Sequence, residues 1–142
     1  MTVRHVKNAF EDTRGSIADI IEDEIIEHVT LIKTAPGAVR GNHYHRETYQ
    51  WVYIVSGALR YVTRDGAGCA ERGVVLAGDV LFTGPMDAHA MEALEDTTMV
   101  VMTRGPRGGR EYESDTFRLD EPLIADTVGA QRAVPALDEA LA

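Results

Sequence analysis

Two histidines one residue apart, His43 and His45, are the first residues whose types and spacing suggest chemistry. On an extended segment the side chains at i and i+2 project to one side of a sheet, so both imidazoles face the same way. A metal-sharing pair on a helix would instead sit at i and i+4. Gln50 follows in a run of aromatic and β-branched residues (Tyr49, Trp51, Val52, Tyr53, Ile54, Val55) that reads as a strand. The step from 45 to 50 is odd, so a turn or bulge must intervene if Gln50 is to face the same way as the histidines. The polar Arg46-Glu47-Thr48 supplies that break. A third histidine, His89, comes after Gly78-Asp79 and Pro85 and leads into an apolar strand. Taken singly, each histidine reads as an exposed sheet residue or as a core histidine bonded to the backbone. The case for a shared site rests on all three together.

The segment from Gly37 to Gly57 runs Gly, five residues, His-x-His, four residues, an amide, six residues, Gly. It resembles the first motif of the cupin superfamily. Gly78 through His89, with a Pro between, is similar to the second. The resemblance covers about residues 37 to 93 and implies an all-β fold, an antiparallel double-stranded β-helix or jelly-roll barrel. It also implies a divalent-metal site built from His43, His45, Gln50 and His89. Two positions depart from the pattern. Gln50 stands where most metal-binding cupins have Glu, and Pro85 lies one place late, with Asp87 where Gly is common. A Glu would halve the charge of a bound divalent cation, whereas Gln offers a neutral carbonyl oxygen. The ion then keeps its full charge and is a stronger Lewis acid toward a carboxylate or enolate. Imidazole-rich sites suit Zn, Ni, Cu, Fe or Mn, and the ligand set does not choose among them. The other reading of Gln50 is a barrel-lining hydrogen-bonder with no metal nearby.

Asp12-x-Arg14-Gly15 together with Arg40-Gly-x-His43-x-His45 and Gln50 looks like a second pattern, that of the sugar-nucleotide ketoisomerases of the same superfamily. That similarity implies a metal-free site in which His43 and His45 are catalytic bases moving protons between adjacent carbons. Arg40 would there hold an anionic or hydroxyl group of the substrate. His89 completes a third ligand position that an acid–base pair does not require. Two further possibilities stay open, an iron-dependent dioxygenase and a non-catalytic small-ligand-binding cupin. In each case the partner is a small molecule.

Outside the motifs, Arg107 and Arg110 are candidates for gripping a carboxylate or phosphate, but interface or surface salt bridges are the preferred reading for both. Tyr44 must face away from the histidines. Tyr49, Trp51 and Tyr53 share the face opposite Gln50, so the aromatic stripe lies outside the barrel and must meet a second sheet or a second subunit. A homodimer follows as the expectation. Met86, Met91, Met99 and Met102 read as core filler. Asp87 reads as a turn residue, and Glu92 points away from His89.

The elements that must carry these residues are short strands separated by turn residues, the signature of a β-sandwich or barrel. Strands are expected over 2–6, 16–21, 25–34, the segment bearing His43 and His45, 49–56, 58–63, 71–76, 80–83, 89–94, 97–103 and 111–119. The barrel domain is placed at 1–120, with 121–142 as a tail carrying a short helix at 135–141. A chain of 142 residues is about one domain. The net charge of −9 argues against nucleic acid and anionic membranes, since phosphate contacts need clustered Lys and Arg. No apolar run reaches the roughly 20 residues of a membrane span. One cysteine, Cys69, allows no internal disulfide, so a cytoplasmic location is expected.

Overall fold

The computed structural model describes residues 2–106 and 113–126. The strands are β1 (Val3–His5), β2 (Phe10–Asp12), β3 (Gly15–Ile17), β4 (His28–Thr34), β5 (Val39–Tyr44) and β6 (Tyr49–Ser56). They continue as β7 (Ala58–Arg64), β8 (Ala70–Leu76), β9 (Asp79–Thr83), β10 (Ala88–Ala93), β11 (Thr97–Arg104) and β12 (Phe117–Arg118). Among the described residues there is no helix. Two five-stranded antiparallel sheets face each other, ordered β1-β9-β6-β11-β4 and β12-β5-β10-β7-β8, with β2-β3 as a separate hairpin. The all-β jelly-roll expected from the motifs is the fold observed.

Alternation along each strand builds the lumen between the sheets. Val52 and Ile54 of β6, Met99 and Val101 of β11 and Leu81 of β9 meet Leu59 and Tyr61 of β7, Val75 of β8 and Met91 of β10. Burying each such aliphatic side chain contributes roughly 1.5–3 kcal/mol. The outer faces are covered by other parts of the chain. Trp51, Val80 and Met102 lie beneath Val6, Ile20, Ile21 and Ile26, with Tyr49 and Tyr53 packed against the same cluster. On the other sheet, Val62 and Ala90 are covered by Leu123 and Ile124.

Several expectations change accordingly. The aromatic stripe does lie outside the lumen, but the amino-terminal segment of the same chain covers it, so it gives no reason for a homodimer. The strand expected over 16–21 stops at Ile17, because Ile20 and Ile21 leave the hairpin to make that cover. Met86 is not core filler: it is half-exposed, with φ of 70°, in the turn before β10. Of the strand expected over 111–119, Phe117–Arg118 is strand, Glu113–Asp115 is a turn, and 111–112 lie outside the described residues. The helix at 135–141, Arg107 and Arg110 lie outside them as well.

Candidate metal centre

At one end of the lumen the apolar pattern gives way to two polar rows. Partners directly opposite in an antiparallel pair share a face. On one sheet His43 of β5 pairs with His89 of β10, which pairs with Thr63 of β7. His89 and Thr63 have the parity of Met91 and Tyr61, so this row faces inward. On the other sheet Thr103 of β11 pairs with Gln50 of β6, which pairs with Thr83 of β9. These three have the parity of Val101, Val52 and Leu81, so they face inward too. Both rows lie at the same end, because residues 45–48, His45 among them, join β5 to β6 there and residues 84–87 join β9 to β10. His43, Gln50, Thr83, His89 and Thr103 are each at most 2% exposed.

The imidazoles of His43, His45 and His89 converge. Their ring centroids are 4.6–5.2 Å apart, and one ligand atom from each lies within 4.8 Å of the others. One ion at the usual metal–nitrogen distance of about 2.0–2.1 Å holds its ligand atoms no more than about 4.2 Å apart, so the rings need only draw in by about half an ångström to share it. Two rings have their protonation fixed by neighbours. His45 Nδ1 donates to the Asp115 carbonyl at 2.8 Å, and His89 Nδ1 donates to the Asp87 carbonyl at 3.1 Å. A carbonyl only accepts, so the proton of each neutral ring sits on Nδ1 and Nε2 carries the lone pair. This is the outer-shell arrangement that orients metal-ligating histidines.

Asp115 does a second job. Its carboxylate accepts from the backbone N–H groups of Arg46, Glu47 and Thr48, each at 2.9 Å, and from the Thr48 hydroxyl at 2.8 Å. Burial pushes this carboxyl up, yet those four donors outweigh it and hold it below the usual carboxylate range. One residue thus pins the break between β5 and β6 and orients His45 through its own carbonyl.

The immediate run-up to His43 is irregular. The register between β5 and β10 shifts at His89/Ala90, with His89 opposite His43 but Ala90 opposite Gly41, so Asn42 is an inserted bulge residue. Gly41 (φ 91°) and Asn42 (φ 59°) both adopt left-handed backbone. A Cβ at Gly41 would lie 2.6 Å from the His89 carbonyl oxygen, so only glycine fits. The Asn42 side chain turns outward, accepting from Leu123 N and Ile124 N and donating to the Ile124 carbonyl.

The comparisons with known proteins agree with this architecture. Residues 30–103, just over half of the chain, match the Cupin domain family (Cupin_2). The chain belongs to the cupin family. It is 32% identical over 132 residues to oxalate decarboxylase OxdC of Bacillus subtilis (strain 168), matching 86% of this chain but spanning only 34% of that protein. Among solved structures, the fold is similar to a 3,4-ketoisomerase from Helicobacter canadensis, with TM-score 0.68 and 22% identity, covering 82% of this chain and 89% of the other. It is also similar to dTDP-4-dehydrorhamnose 3,5-epimerase from Sulfolobus tokodaii, with TM-score 0.65 and 17% identity, covering 98% of this chain and 97% of the other.

Within this cupin the four residues expected at the metal, His43, His45, Gln50 and His89, are all buried at one end of the lumen, the histidines in mutual contact and Gln50 in the facing row. Arg40 is brought to the lumen side by the Asn42 bulge, opposite Met91 and one pair deeper than the histidines. Its Nε donates to Thr34 Oγ1 at 2.8 Å and its Nη2 to the Lys33 carbonyl at 3.0 Å. Asp12 and Arg14 form an ion pair in the β2–β3 hairpin. Asp87 caps its turn by accepting from Gly84 N, and Glu92 pairs with Arg60 on the outer face. Tyr44 faces outward, stacked on Phe117 with centroids 5.4 Å apart. Sequence reading missed Asp115, Thr83 and Thr103. Asp115 lies 70 residues from His45 and carries no local signal.

Proposed function

We propose that this cupin binds one divalent transition-metal ion through His43, His45 and His89, with Gln50 as the fourth ligand, and acts on a small carbohydrate-derived or carboxylate substrate. The observation that carries this reading is the convergence of three buried imidazoles, two of them with Nδ1–H committed to backbone carbonyls. Proton transfer needs one or two such rings, whereas three on one point suit an ion. An ion of the Zn, Ni, Mn or Fe type would supply Lewis-acid polarisation of a carbonyl or enolate oxygen. The chain's own residues hold His45 and His89 in the ligating tautomer, exclude bulk water by burial, and offer a neutral amide where a carboxylate would lower the ion's charge. The class of reaction is a non-redox isomerase or lyase step. The similarity to an oxalate decarboxylase, by name an enzyme of a small dicarboxylate, supports a carboxylate substrate.

Elemental analysis of the purified chain tests the proposal. About one metal ion per chain is expected, lost in the His43→Ala/His89→Ala double variant. A metal-free protein that turns over keto-sugar nucleotides would instead assign His43 and His45 the role of bases. Saturable ligand binding without product across a substrate panel would make the barrel a binding module. Dioxygen consumption by an iron-loaded form would move it to the dioxygenases.

A further inference from the structure

The amino-terminal segment does not cover the outer face of the β1-β9-β6 sheet completely. Between that sheet and Glu24 of the covering segment lies a cavity of about 250 Å³, lined by Thr2, Arg4, Glu24, Trp51, Val80 and Phe82. Protein packing leaves few voids larger than a water, and a cavity of about 150 Å³ already holds benzene. Trp51 has the opposite parity to Gln50, so this space lies outside the lumen and apart from the three imidazoles.

The lining sorts into a flat apolar floor and a polar rim. Val80, Trp51 and Phe82 make the floor, the two rings 5.3 Å apart with planes inclined by 42°. Trp51 is 7% exposed, yet no described residue accepts from its indole N–H. At the rim, Arg4 donates from Nη2 to the Ile20 carbonyl, and no carboxylate among the described residues pairs with it. Glu24 commits Oε2 to Arg104 at 3.4 Å, which leaves Oε1 to accept.

We infer that this cavity is a second ligand site, for a flat, uncharged bicyclic heterocycle with a carbonyl and an N–H on its edge. The floor offers aromatic faces for stacking. The indole N–H and the guanidinium donate to the carbonyl, and the Glu24 carboxylate accepts from the N–H. One guanidinium and one carboxylate line the same space, so an ion of either sign meets a like charge and a neutral ring meets none. Volume sets the size: one ring leaves the cavity part-empty, whereas two fused rings suit it.

Trp51 is the only tryptophan in the chain, so its emission reports directly on this cavity. The probe is hypoxanthine, a neutral bicyclic lactam, with benzoate and benzamidinium as charged comparisons. Titrated into the purified chain, hypoxanthine is expected to change the Trp51 emission saturably, with Kd below about 1 mM and about 10-fold or more below that of either ion. Arg4→Met and Glu24→Met should each weaken it by about 3- to 10-fold, the worth of one hydrogen bond, while the ligand-free emission maximum stays in place. The His43→Ala/His89→Ala variant should bind hypoxanthine as the wild type does, since the lumen takes no part. The inference is overturned if the emission does not respond or if either ion binds as tightly. It is equally overturned if the Arg4 and Glu24 variants keep wild-type affinity or if the histidine variant loses binding. Should a rim variant fail to fold, the three probes on the wild type decide alone.

Discussion

The two ends of the lumen are equally buried and opposite in chemistry. At one end Ile54, Leu59, Val75 and Met99 are at most 1% exposed; at the other His43, His89, Gln50, Thr83 and Thr103 are at most 2%. β6, β7, β9, β10 and β11 each supply both ends, and the same inward parity runs through them. Burial therefore does not distinguish core from site here. Chemistry does: the apolar end offers only contact, and the polar end gathers imidazoles, an amide and threonine hydroxyls. The apolar end holds the sheets together so that the polar end can stay buried without collapsing onto itself.

That division is open to attack by mutation, beginning with the largest expected effect. His43→Ala/His89→Ala should take metal from about one ion per chain to none by elemental analysis, while far-ultraviolet circular dichroism stays at the wild-type level. At the apolar end Leu59→Ala should do the reverse. It should cost about 2–5 kcal/mol in urea denaturation and leave metal stoichiometry unchanged where the protein is folded. A loss of metal in Leu59→Ala under those conditions would show that the two ends are not separable.

Asp115→Asn sharpens the comparison from the border between them. Metal affinity should fall by about 10- to 100-fold in competition with a chelator, because the segment that orients His45 loses its carboxylate clamp. The acid limb should change as well. The folded carboxyl is held below its ordinary value, so its contribution to stability is complete above about pH 4 and is lost as pH falls through the lower, folded value. Denaturation midpoints of Asp115→Asn should accordingly be less steep on acidification than those of the wild type. Gly41→Ala, with φ of 91° and the His89 carbonyl in the way, should cost about 1–3 kcal/mol and also weaken the proposed metal binding, since relief requires β5 to move from β10 beside His43 and His89.

Much of the fold and the centre of the site were legible because both are local. Alternation and turn residues set β6 to β11 within a residue of where each lies, whereas β4 begins at His28 rather than 25 and β5 ends at Tyr44, one residue short of His45. The His-x-His spacing put His43 and His45 on one side, and the polar break at 46–48 let Gln50 turn toward the same site; that Gln50 sits on the opposite wall came only from strand pairing. What was not legible is long-range. Asp115 has no periodicity tying it to His45, and only the returning chain after β11 brings it there. The cover over Tyr49, Trp51 and Tyr53 comes from Ile20, Ile21 and Ile26, whose isoleucines read as strand when taken alone. Strict alternation puts Arg40 on the face opposite His43. A Gly-Asn pair inside a strand is the signal for a bulge, and it is this bulge that gives Arg40 and His43 the same face. Thr83 and Thr103 read as ordinary strand residues until pairing set them beside Gln50.

The most direct measurement of the central claim is long-range ¹H–¹⁵N nuclear magnetic resonance of the histidine rings during Zn²⁺ titration. The geometry predicts Nδ1–H tautomers for His45 and His89 in the metal-free chain, and a stoichiometric shift of the Nε2 resonances of these rings and of a ring nitrogen of His43 when the ion is added. Nε2–H tautomers at 45 and 89, or rings whose nitrogens do not respond to Zn²⁺, would contradict it.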